Sequence, residues 1–373
     1  KNLKFNFGID MKKYWEIKSL GEIVEVLDNQ RKPITKRYRI SGEFPYYGAT
    51  GILDYVHEYI FSEKLILIGE DGAKWESGDR SAYIVDGKYW VNNHAHVIRP
   101  NRDIIKDEFL TYFLNFSDLI PFVSGMTVPK LNQKNLMGIK IPILPLPEQQ
   151  RIVSILDECF AAIDKAKANA EQNLKNAREL FESYLQGVFE NGNWEKKKLG
   201  EICLKTNNIK WNESNEEVYE YIDLSAVDRN ELTINESVQI NKTDAPSRAK
   251  KILKEGDIIF ATTRPTLKRL AIIPKSFDNQ ICSTGFTVLR PKTNEVISSF
   301  IFYSLLQDSF MIRMKSLQRG ASYPAVTDTD VKGFLIPVPD ISEQKVMTVK
   351  LDAARAETQK LEAVYQKKID DLE

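Results

Sequence analysis

A pair of histidines separated by one residue is the first feature that could do chemistry. If His94 and His96 lie on a strand, both rings point to one face, which is the arrangement that a metal ion needs. The corresponding positions in a second, repeated half of the chain, identified below, are Gly285 and Thr287. Because the shared scaffold does not need a metal there, a local polar contact, which could include DNA, is the favoured interpretation.

A second candidate is a group of charged residues at the start of a predicted helix. Asp340, Glu343 and Lys345 superficially resemble a metal-dependent nuclease triad, but a nuclease normally places the Asp on a different strand from the Glu-x-Lys pair. Ser342 is a natural N-cap and Glu343 suits the first helical turn, so helix capping is favoured. The sequence also lacks a phosphate-binding loop, a dinucleotide-binding glycine fingerprint and the Asn- or Asp-Pro-Pro-Tyr motif of an amino-methyltransferase. We therefore predict no catalytic residue, no metal and no cofactor for this chain.

Positive charge is concentrated in two segments, although the whole chain is balanced. The 52 Lys and Arg residues equal the 52 Asp and Glu residues, which excludes a uniformly basic DNA coat. Residues 30–39 hold five basic and no acidic residues, and residues 242–275 hold nine basic against three acidic residues. Residues 148–190 hold eight acidic against five basic residues. Basic clusters interleaved with aromatic residues suit phosphate neutralisation with base contact, so DNA binding is favoured over a merely solvated surface.

The composition is otherwise that of an ordinary globular protein. With 373 residues, 42% hydrophobic and 28% charged, the chain is long enough for about two or three domains. Three widely spaced cysteines argue against a disulfide framework or a zinc ribbon and favour a cytoplasmic location. No apolar stretch is long enough to cross a membrane. Residues 1–13 lack the apolar centre of a signal peptide and are expected to form an N-terminal arm.

The sequence contains an internal repeat. Residues 15–23 return as residues 194–202, at an offset of 179. Residues 97–100 return as residues 288–291, at an offset of 191, and matches from Gly125 onward share an offset of 195. Because the offset grows only between blocks, two copies of one unit separated by insertions are the simplest explanation.

Each copy is expected to fold as a mixed α/β domain. Short apolar runs bounded by glycine, such as residues 65–68 and 257–260, predict buried strands, and residues 107–116 and 298–308 predict short helices. The predicted fold class is α/β (α+β), with two similar globular domains joined by two long helices. The predicted boundaries are residues 14–147 and 192–341 for the domains, and residues 148–191 and 342–373 for the helices.

Each copy ends in a segment with a heptad pattern. Residues 148–190 contain no proline, and their apolar or small residues recur in steps of three and four. A helix of that length, roughly 65 Å, needs a partner because its apolar stripe is thin. The other long helix is the obvious partner, so an antiparallel coiled coil acting as a spacer is favoured over one side of an ordinary bundle. The predicted seam residues are Ile152, Leu156, Ile163, Leu174, Phe181, Met347, Leu351, Leu361 and Tyr365.

Several strings, in this order, resemble the specificity subunit of a type I restriction–modification system. Residues 44–51 (FPYYGATG), 67–73 (LIGEDGA) and 91–97 (VNNHAHV) resemble one type of target recognition domain. Residues 256–264 (GDIIFATTR), together with residues 283–286 (STGF), resemble another type. Residues 141–153 (IPILPLPEQQRIV) are similar to the family's entry into its conserved helix. The likeness covers residues 14–373.

The resemblance implies a division of labour between subunits. Each recognition domain would read one half-site of double-stranded DNA, and the coiled coil would set the unread gap between the half-sites. Two adenine methyltransferase subunits and motor endonuclease subunits would dock on this chain, which would have no activity of its own. S-adenosylmethionine, ATP and magnesium are then expected on the partner subunits.

The predicted DNA-contacting residues come from the basic clusters, from aromatic and histidine side chains of the first domain, and from two corresponding loops. These loops, residues 125–132 and 320–327, are similar to a loop that the family places near DNA. The predicted contact residues are Arg31, Lys32, Tyr47, Trp75, His94, Thr127, Lys130, Asn132, Arg264, Lys268, Arg269, Arg319, Ser322 and Tyr323. The arginines could pair with guanine or hold phosphate, and the sequence leaves both open. Two other functions also stay open. They are the recognition subunit of a type II restriction–methylation enzyme and a coiled-coil adaptor that binds proteins.

Overall fold

The chain divides into two compact units, residues 1–164 and 165–373, and each unit contains one sheet-rich domain. The computed structural model describes residues 15–125, 127–190, 192–213 and 217–372. The arm predicted at residues 1–13 lies outside the described residues. The predicted mixed α/β class with two domains and two long helices is confirmed.

The strands of the first unit form a two-stranded pair and two four-stranded sheets. They are β1 (Glu16–Ser19), β2 (Val24–Val26), β3 (Ser41–Gly48), β4 (Gly51–Val56), β5 (Phe61–Ser62), β6 (Leu65–Gly69), β7 (Ala82–Val85), β8 (Lys88–Val91), β9 (Ala95–Pro100) and β10 (Lys140–Ile143). β1 pairs with β10, and the sheets have the orders β2–β9–β6–β7 and β4–β3–β8–β5. Strands β3 and β8 run parallel.

Alternation along β6 explains why that strand is completely buried. Leu65 and Leu67 pack among residues of the second sheet, whereas Ile66 and Ile68 pack against the helical side of the domain. Successive side chains of a strand point to opposite faces, so a central strand covered on both faces is apolar throughout. The helices of the first unit are α1 (Leu20–Ile23), α2 (Asp107–Phe116) and α3 (Gln133–Met137), followed by the long α4 (Leu146–Glu190). The strand and helix predicted at residues 65–68 and 107–116 are thus confirmed.

The second unit repeats this topology strand for strand. Its strands are β11 (Lys196–Lys198), β12 (Cys203–Leu204), β13 (Tyr219–Ile222), β14 (Val238–Ile240), β15 (Ala249–Ile252), β16 (Ile258–Ala261), β17 (Leu270–Ile272), β18 (Ile281–Ser283), β19 (Phe286–Pro291) and β20 (Leu335–Pro337). β11 pairs with β20, and the sheets have the orders β12–β19–β16–β17 and β14–β13–β18–β15. β13 and β18 are parallel, as β3 and β8 are. The predicted duplication is therefore visible in the pairing of the strands.

The helices of the second unit include one that has no α-helical counterpart among the described residues of the first unit. They are α5 (Leu199–Ile202), α6 (Ser298–Leu306), α7 (Asp308–Leu317), α8 (Asp328–Lys332) and α9 (Ile341–Asp371). At the place of α7 the first unit has only a short 3-10 turn, Ile120–Phe122. Met314 at 0% exposure anchors α7 in the core, so this helix is an integral part of the second domain.

A buried glutamine joins each long helix to the domain that precedes it. Gln149 accepts a hydrogen bond from the Lys106 amide at 2.8 Å and donates to the carbonyls of Ile104 and Leu144 at 2.9 and 2.7 Å. Gln344 at the start of α9 makes the same three kinds of bond in the second domain. Because each glutamine satisfies three backbone groups in the core, the helix is held at a fixed place on its domain.

The cap of α9 differs from the expectation. Ser342 was predicted as the N-cap, but the helix begins two residues earlier, and Asp340 caps it by accepting from the Glu343 amide at 2.9 Å. Ser342 instead donates to the Asp340 carboxylate at 2.5 Å. Asp340 and Glu343 thus belong to a helix start, as expected, and the capping carboxylate suits the positive end of the helix dipole.

Within the second unit, the carboxyl half of α4 and α9 run antiparallel. Arg178 forms an ion pair with Glu362 at 2.8 Å. Phe181 and Leu185 of α4 pack in one core with Met347 and Leu351 of α9. Among the other predicted seam residues, Leu156, Leu174 and Tyr365 are half-buried, Ile163 and Leu361 are exposed, and Ile152 packs against the core of the first domain. None of the described helices has the length and apolar character needed to span a membrane.

Candidate nucleic-acid interface

The two loops predicted to lie near DNA have the same geometry in both domains. In the first, the amides and carbonyls of Ser124 and Lys130 bond to each other reciprocally, and in the second Arg319 and Ala325 do the same. Both loops turn at a glycine with positive φ, Gly125 at 97° and Gly320 at 95°. A side chain at the first glycine would meet the Val128 carbonyl at 2.4 Å, so only glycine fits that turn. Met126 lies outside the described residues.

The loop of the first domain rests on a cluster of paired charges. Glu70, which follows β6, forms ion pairs with Arg31 at 2.5 Å and with Lys130 of the loop at 2.8 Å. Arg31 also lies 3.3 Å from Asp28 and donates to the Ala95 carbonyl at 2.8 Å. Burial raises the pKa of Glu70, but hydrogen bonds from Lys130 and Arg31 outweigh burial and hold the pKa below its usual range. The side chain of Arg31 is therefore occupied by contacts inside the domain.

His96 completes this cluster from β9. Its ring is buried, with Nδ1 at 2.6 Å from an Asp28 carboxylate oxygen and Nε2 at 2.7 Å from the Leu131 carbonyl. Both ring nitrogens therefore have a polar partner inside the domain, and the ring links Asp28 to the end of the loop. His94 precedes β9, is exposed and contacts Asp71. The two histidines therefore do not present their rings to a common site.

Asp28, Glu70 and His96 could in principle hold a metal ion, since their ligand atoms lie within 4.8 Å of one another. The residues around them do not fit that use. The guanidinium of Arg31 and the ammonium of Lys130 already neutralise the carboxylates, and a cation would have to displace them. The arrangement is that of a structural ion cluster that ties the loop to the strands.

The second domain supports its loop with different residues at the same place. Thr287, which corresponds to His96, donates to an Asp328 carboxylate oxygen at 2.8 Å. Lys251 forms an ion pair with the other oxygen at 2.7 Å and donates to the Phe286 carbonyl at 2.6 Å. Asp328 follows the loop as the first residue of α8. Both domains therefore support the loop by partly buried polar contacts, although they use different residue types.

The loop of the second domain meets a tight turn that follows β16. Residues 265–267 form a 3-10 turn, and both flanking residues, Arg264 and Lys268, have left-handed backbones with φ of 49° and 53°. The Arg264 amide donates to the Pro324 carbonyl at 2.7 Å, and its guanidinium lies 5.2 Å from the centre of the Tyr323 ring. Tyr323 is 71% exposed. Cationic and aromatic groups are thus presented together at the surface.

The other predicted DNA-contacting residues of the second domain differ in their exposure and in whether their side chains already have a partner. Arg319 is exposed but pairs with Asp330 at 2.7 Å, and Lys268 lies 3.8 Å from Glu182 of α4. Ser322 is exposed at the tip of the loop. Arg269 is half-buried, and its Nε has no hydrogen-bond partner among the described residues.

The predicted aromatic residues of the first domain lie largely inside it. Trp75 is 5% exposed and donates from its indole nitrogen to the Gly69 carbonyl at 3.1 Å, which favours packing over base contact. Tyr47 is half-buried against Tyr83 and Tyr89, and burial raises its pKa. Lys32 and Thr127 are exposed, whereas Asn132 caps α3 by accepting from the Asn135 amide at 2.9 Å.

Two exposed cation–aromatic pairs of the first domain are not among the predicted DNA-contacting residues. Lys88 of β8 lies 4.8 Å from the ring centre of Tyr59, and Arg37 lies 4.6 Å from that of Tyr38. Both rings are exposed, at 42% and 65%. The Arg37–Tyr38 pair lies in the basic cluster at residues 30–39, whereas Lys88 is isolated in sequence and only folding brings it beside Tyr59. Cation–aromatic pairs of this kind suit contact with a nucleic-acid strand.

Comparison with known proteins gives a family match in both halves. The model of the type I restriction modification DNA specificity domain matches residues 12–175 and again residues 191–370. The chain is 22% identical over 374 residues to the type I restriction enzyme MjaVIII specificity subunit of Methanocaldococcus jannaschii, covering 94% of this chain and 88% of that protein.

Local similarity to two further proteins is higher. A Haemophilus influenzae protein whose name describes a type I restriction enzyme specificity subunit is 40% identical over 146 residues, and this chain covers only 37% of its length. That alignment spans 39% of this chain. The solved HsdS subunit from Thermoanaerobacter tengcongensis is 39% identical, with 45% of this chain and 43% of that chain covered and a TM-score of 0.42.

Proposed function

Since this chain belongs to the type I restriction modification DNA specificity family, we propose that it selects the DNA target of a restriction–modification complex. The target would be bipartite, with one half-site for each domain. The chain would carry no catalytic step and would leave methylation and cleavage to other subunits. Because DNA in a prokaryotic cell lies in the cytoplasm, we expect the chain there.

The observation that carries this proposal is the repetition of one surface on two domains. In each domain a loop with the same backbone bonds lies beside the residues that follow β6 or β16. The side chains on that surface differ, with an ion cluster under Lys130 in one domain and a cation–aromatic contact between Arg264 and Tyr323 in the other. A conserved backbone with variable side chains suits two readers of different short sequences.

The long helices would set the spacing between the half-sites. α4 is a continuous helix of 45 residues, and its carboxyl half pairs with α9. A paired helix is stiff over this length, whereas a flexible linker would allow many spacings. The unread gap of the target would therefore be constant.

Partner subunits would supply the chemistry. We propose docking of two adenine methyltransferase subunits, which would bind S-adenosylmethionine, and of motor endonuclease subunits, which would use ATP and magnesium. Exposed apolar side chains on the long helices, such as Leu180 at 67% and Val349 at 67%, would contribute to such docking. We also propose that residues 14–147 and 192–341 form the two recognition domains, and that residues 148–191 and 342–373 form the spacer helices.

The proposal is tested by selecting bound duplexes from a random library with this chain and its cognate methyltransferase. We expect enrichment of two short half-sites at one spacing. Affinity should fall steeply with salt, with log K changing by about −0.9 per phosphate contact for each unit of log salt. A folded complex that enriches no sequence and binds without salt dependence would favour a protein-binding adaptor. Enrichment only by a single fused polypeptide would favour a type II restriction–methylation enzyme.

A further inference from the structure

We propose that Arg264 is a specificity-determining residue that reads a guanine in the half-site of the second domain. This inference rests on the proposed function and adds the chemistry of one base contact. It is carried by the backbone conformation of Arg264, by the position that corresponds to it in the first domain, and by the contacts of its side chain.

Arg264 is held in a backbone conformation that an arginine does not favour. Its φ of 49° and ψ of 56° lie in the left-handed region, where the Cβ of a residue other than glycine is crowded. Non-glycine residues in this region cost free energy and cluster at functional sites. The turn is closed on its other side by Lys268 in the same region, and the amide of Arg264 is bonded to the Pro324 carbonyl.

The corresponding position of the first domain is a glycine. Two backbone contacts set the correspondence between the domains. The Glu70 carbonyl accepts from the Leu131 amide, and the Thr262 carbonyl accepts from the Val326 amide in the same way. The next residue forms a β-bridge in each domain, Asp71 with Lys130 and Thr263 with Ala325. The next residue is Gly72, with φ of 71°, in one domain and Arg264 in the other. The left-handed bend therefore belongs to the shared scaffold. Glycine relieves its strain, so the arginine is present for its side chain.

The guanidinium of Arg264 contacts an aromatic ring but forms no ion pair among the described residues. It lies over the exposed ring of Tyr323, 5.2 Å from the ring centre. Among the described residues no carboxylate lies within ion-pair distance of it, in contrast to Arg319 with Asp330 and Arg290 with Asp257. A cation–aromatic contact of this kind attracts the guanidinium to the ring and leaves its N–H donors available for another partner.

An arginine on a fixed backbone beside an aromatic ring suits a base edge better than a phosphate. Guanine presents two acceptors, O6 and N7, in the major groove, and a planar fork of donors pairs with both. A phosphate accepts from many directions and would be served by a flexible side chain on an unstrained backbone. The backbone conformation and the aromatic contact are therefore explained by base readout.

The decisive variant is Arg264→Gly, studied in the complex with the methyltransferase. Since glycine relieves the left-handed strain, thermal stability should be unchanged or higher. In library selection, the preference for guanine at one position of the second half-site should fall by about tenfold to a hundredfold, with the first half-site unchanged. Arg264→Lys keeps the charge but not the fork, and should lose the preference nearly as completely. Arg229→Gly, at an exposed arginine of the same domain, is the matched control and should change no base preference.

The outcomes separate this inference from the proposed function. If the unmodified complex enriches no bipartite site, the proposed function fails. If it enriches two half-sites but the second contains no G·C pair, the assignment of Arg264 is wrong while the function stands. Equal weakening of all sequences by Arg264→Gly, with a smaller salt slope, would make Arg264 a phosphate contact and would overturn the inference. So would an unchanged preference in Arg264→Gly.

Discussion

At the scale of single residues, charge in this protein serves two separate purposes. Arg31 and Lys130 neutralise Glu70 inside the first domain, whereas Arg264 keeps its charge at the surface of the second. All three residues are basic and lie in segments that predict DNA binding. They differ because a carboxylate lies beside the first two after folding.

Glu70→Gln should destabilise the first domain. The substitution leaves Lys130 and the buried Arg31 without that carboxylate, and we expect a loss of about 2–3 kcal/mol, because Arg31 retains Asp28. The pKa of Glu70 is lowered on folding, so its contribution is present above the unfolded value and is lost as pH falls through the folded one. Urea unfolding at neutral and acid pH measures both effects. Exposed Glu76→Gln is the control, and an equal loss in both variants would contradict the prediction.

At the scale of elements, the long helices are fastened to their domains by the same pair of contacts. After the buried glutamine, a tyrosine of the preceding short helix donates to an aspartate about two turns later, Tyr112 to Asp157 and Tyr303 to Asp352, each at 2.5 Å. Burial, followed by the bond to Asp157, raises the pKa of Tyr112 to about 12. The sequence repeat already contained these residues as matched pairs, but their pairing across the fold could not be read from it.

Gln344→Leu should loosen the start of α9. It leaves the Ile297 amide and the carbonyls of Glu295 and Pro339 without their partner in the core, at a cost of about 2–4 kcal/mol. Hydrogen exchange of the first turns of α9 should become faster than in the unmodified protein. Gln366→Leu, at an exposed position of the same helix, is the control. Unchanged exchange at residues 341–350 in Gln344→Leu would contradict this role.

At the scale of the whole molecule, duplication provides two domains of one fold and leaves each free to diverge. The strand orders of the two domains agree throughout, yet His96 is matched by Thr287, Gly72 by Arg264, and a 3-10 turn by α7. Changes of this kind leave the strand pairing intact. A change in one domain should therefore alter one half-site without affecting the other.

One heptad inserted into α4 and another at the opposite point of α9 should lengthen the unread gap. A heptad adds about 10 Å, which corresponds to roughly three base pairs of duplex. Both half-sites should stay the same, because neither domain is altered. Selection from a random library measures the gap and the half-sites together. A heptad in α4 alone, which mismatches the helix pair, is the control. An unchanged gap or altered half-sites would contradict the spacer role.

The sequence by itself determined the features that depend on order along the chain. Matched strings established the duplication, heptad spacing identified the long helices, and apolar runs identified strands such as β6, because periodicity is local. Tertiary structure decided which predicted side chains are available to DNA. Arg31 meets Glu70 across 39 positions and Trp75 is enclosed by the core, whereas Arg264 contacts the ring of Tyr323 from a distant loop. Burial and pairing are properties of neighbours in space, and those neighbours exist only after the strands have paired.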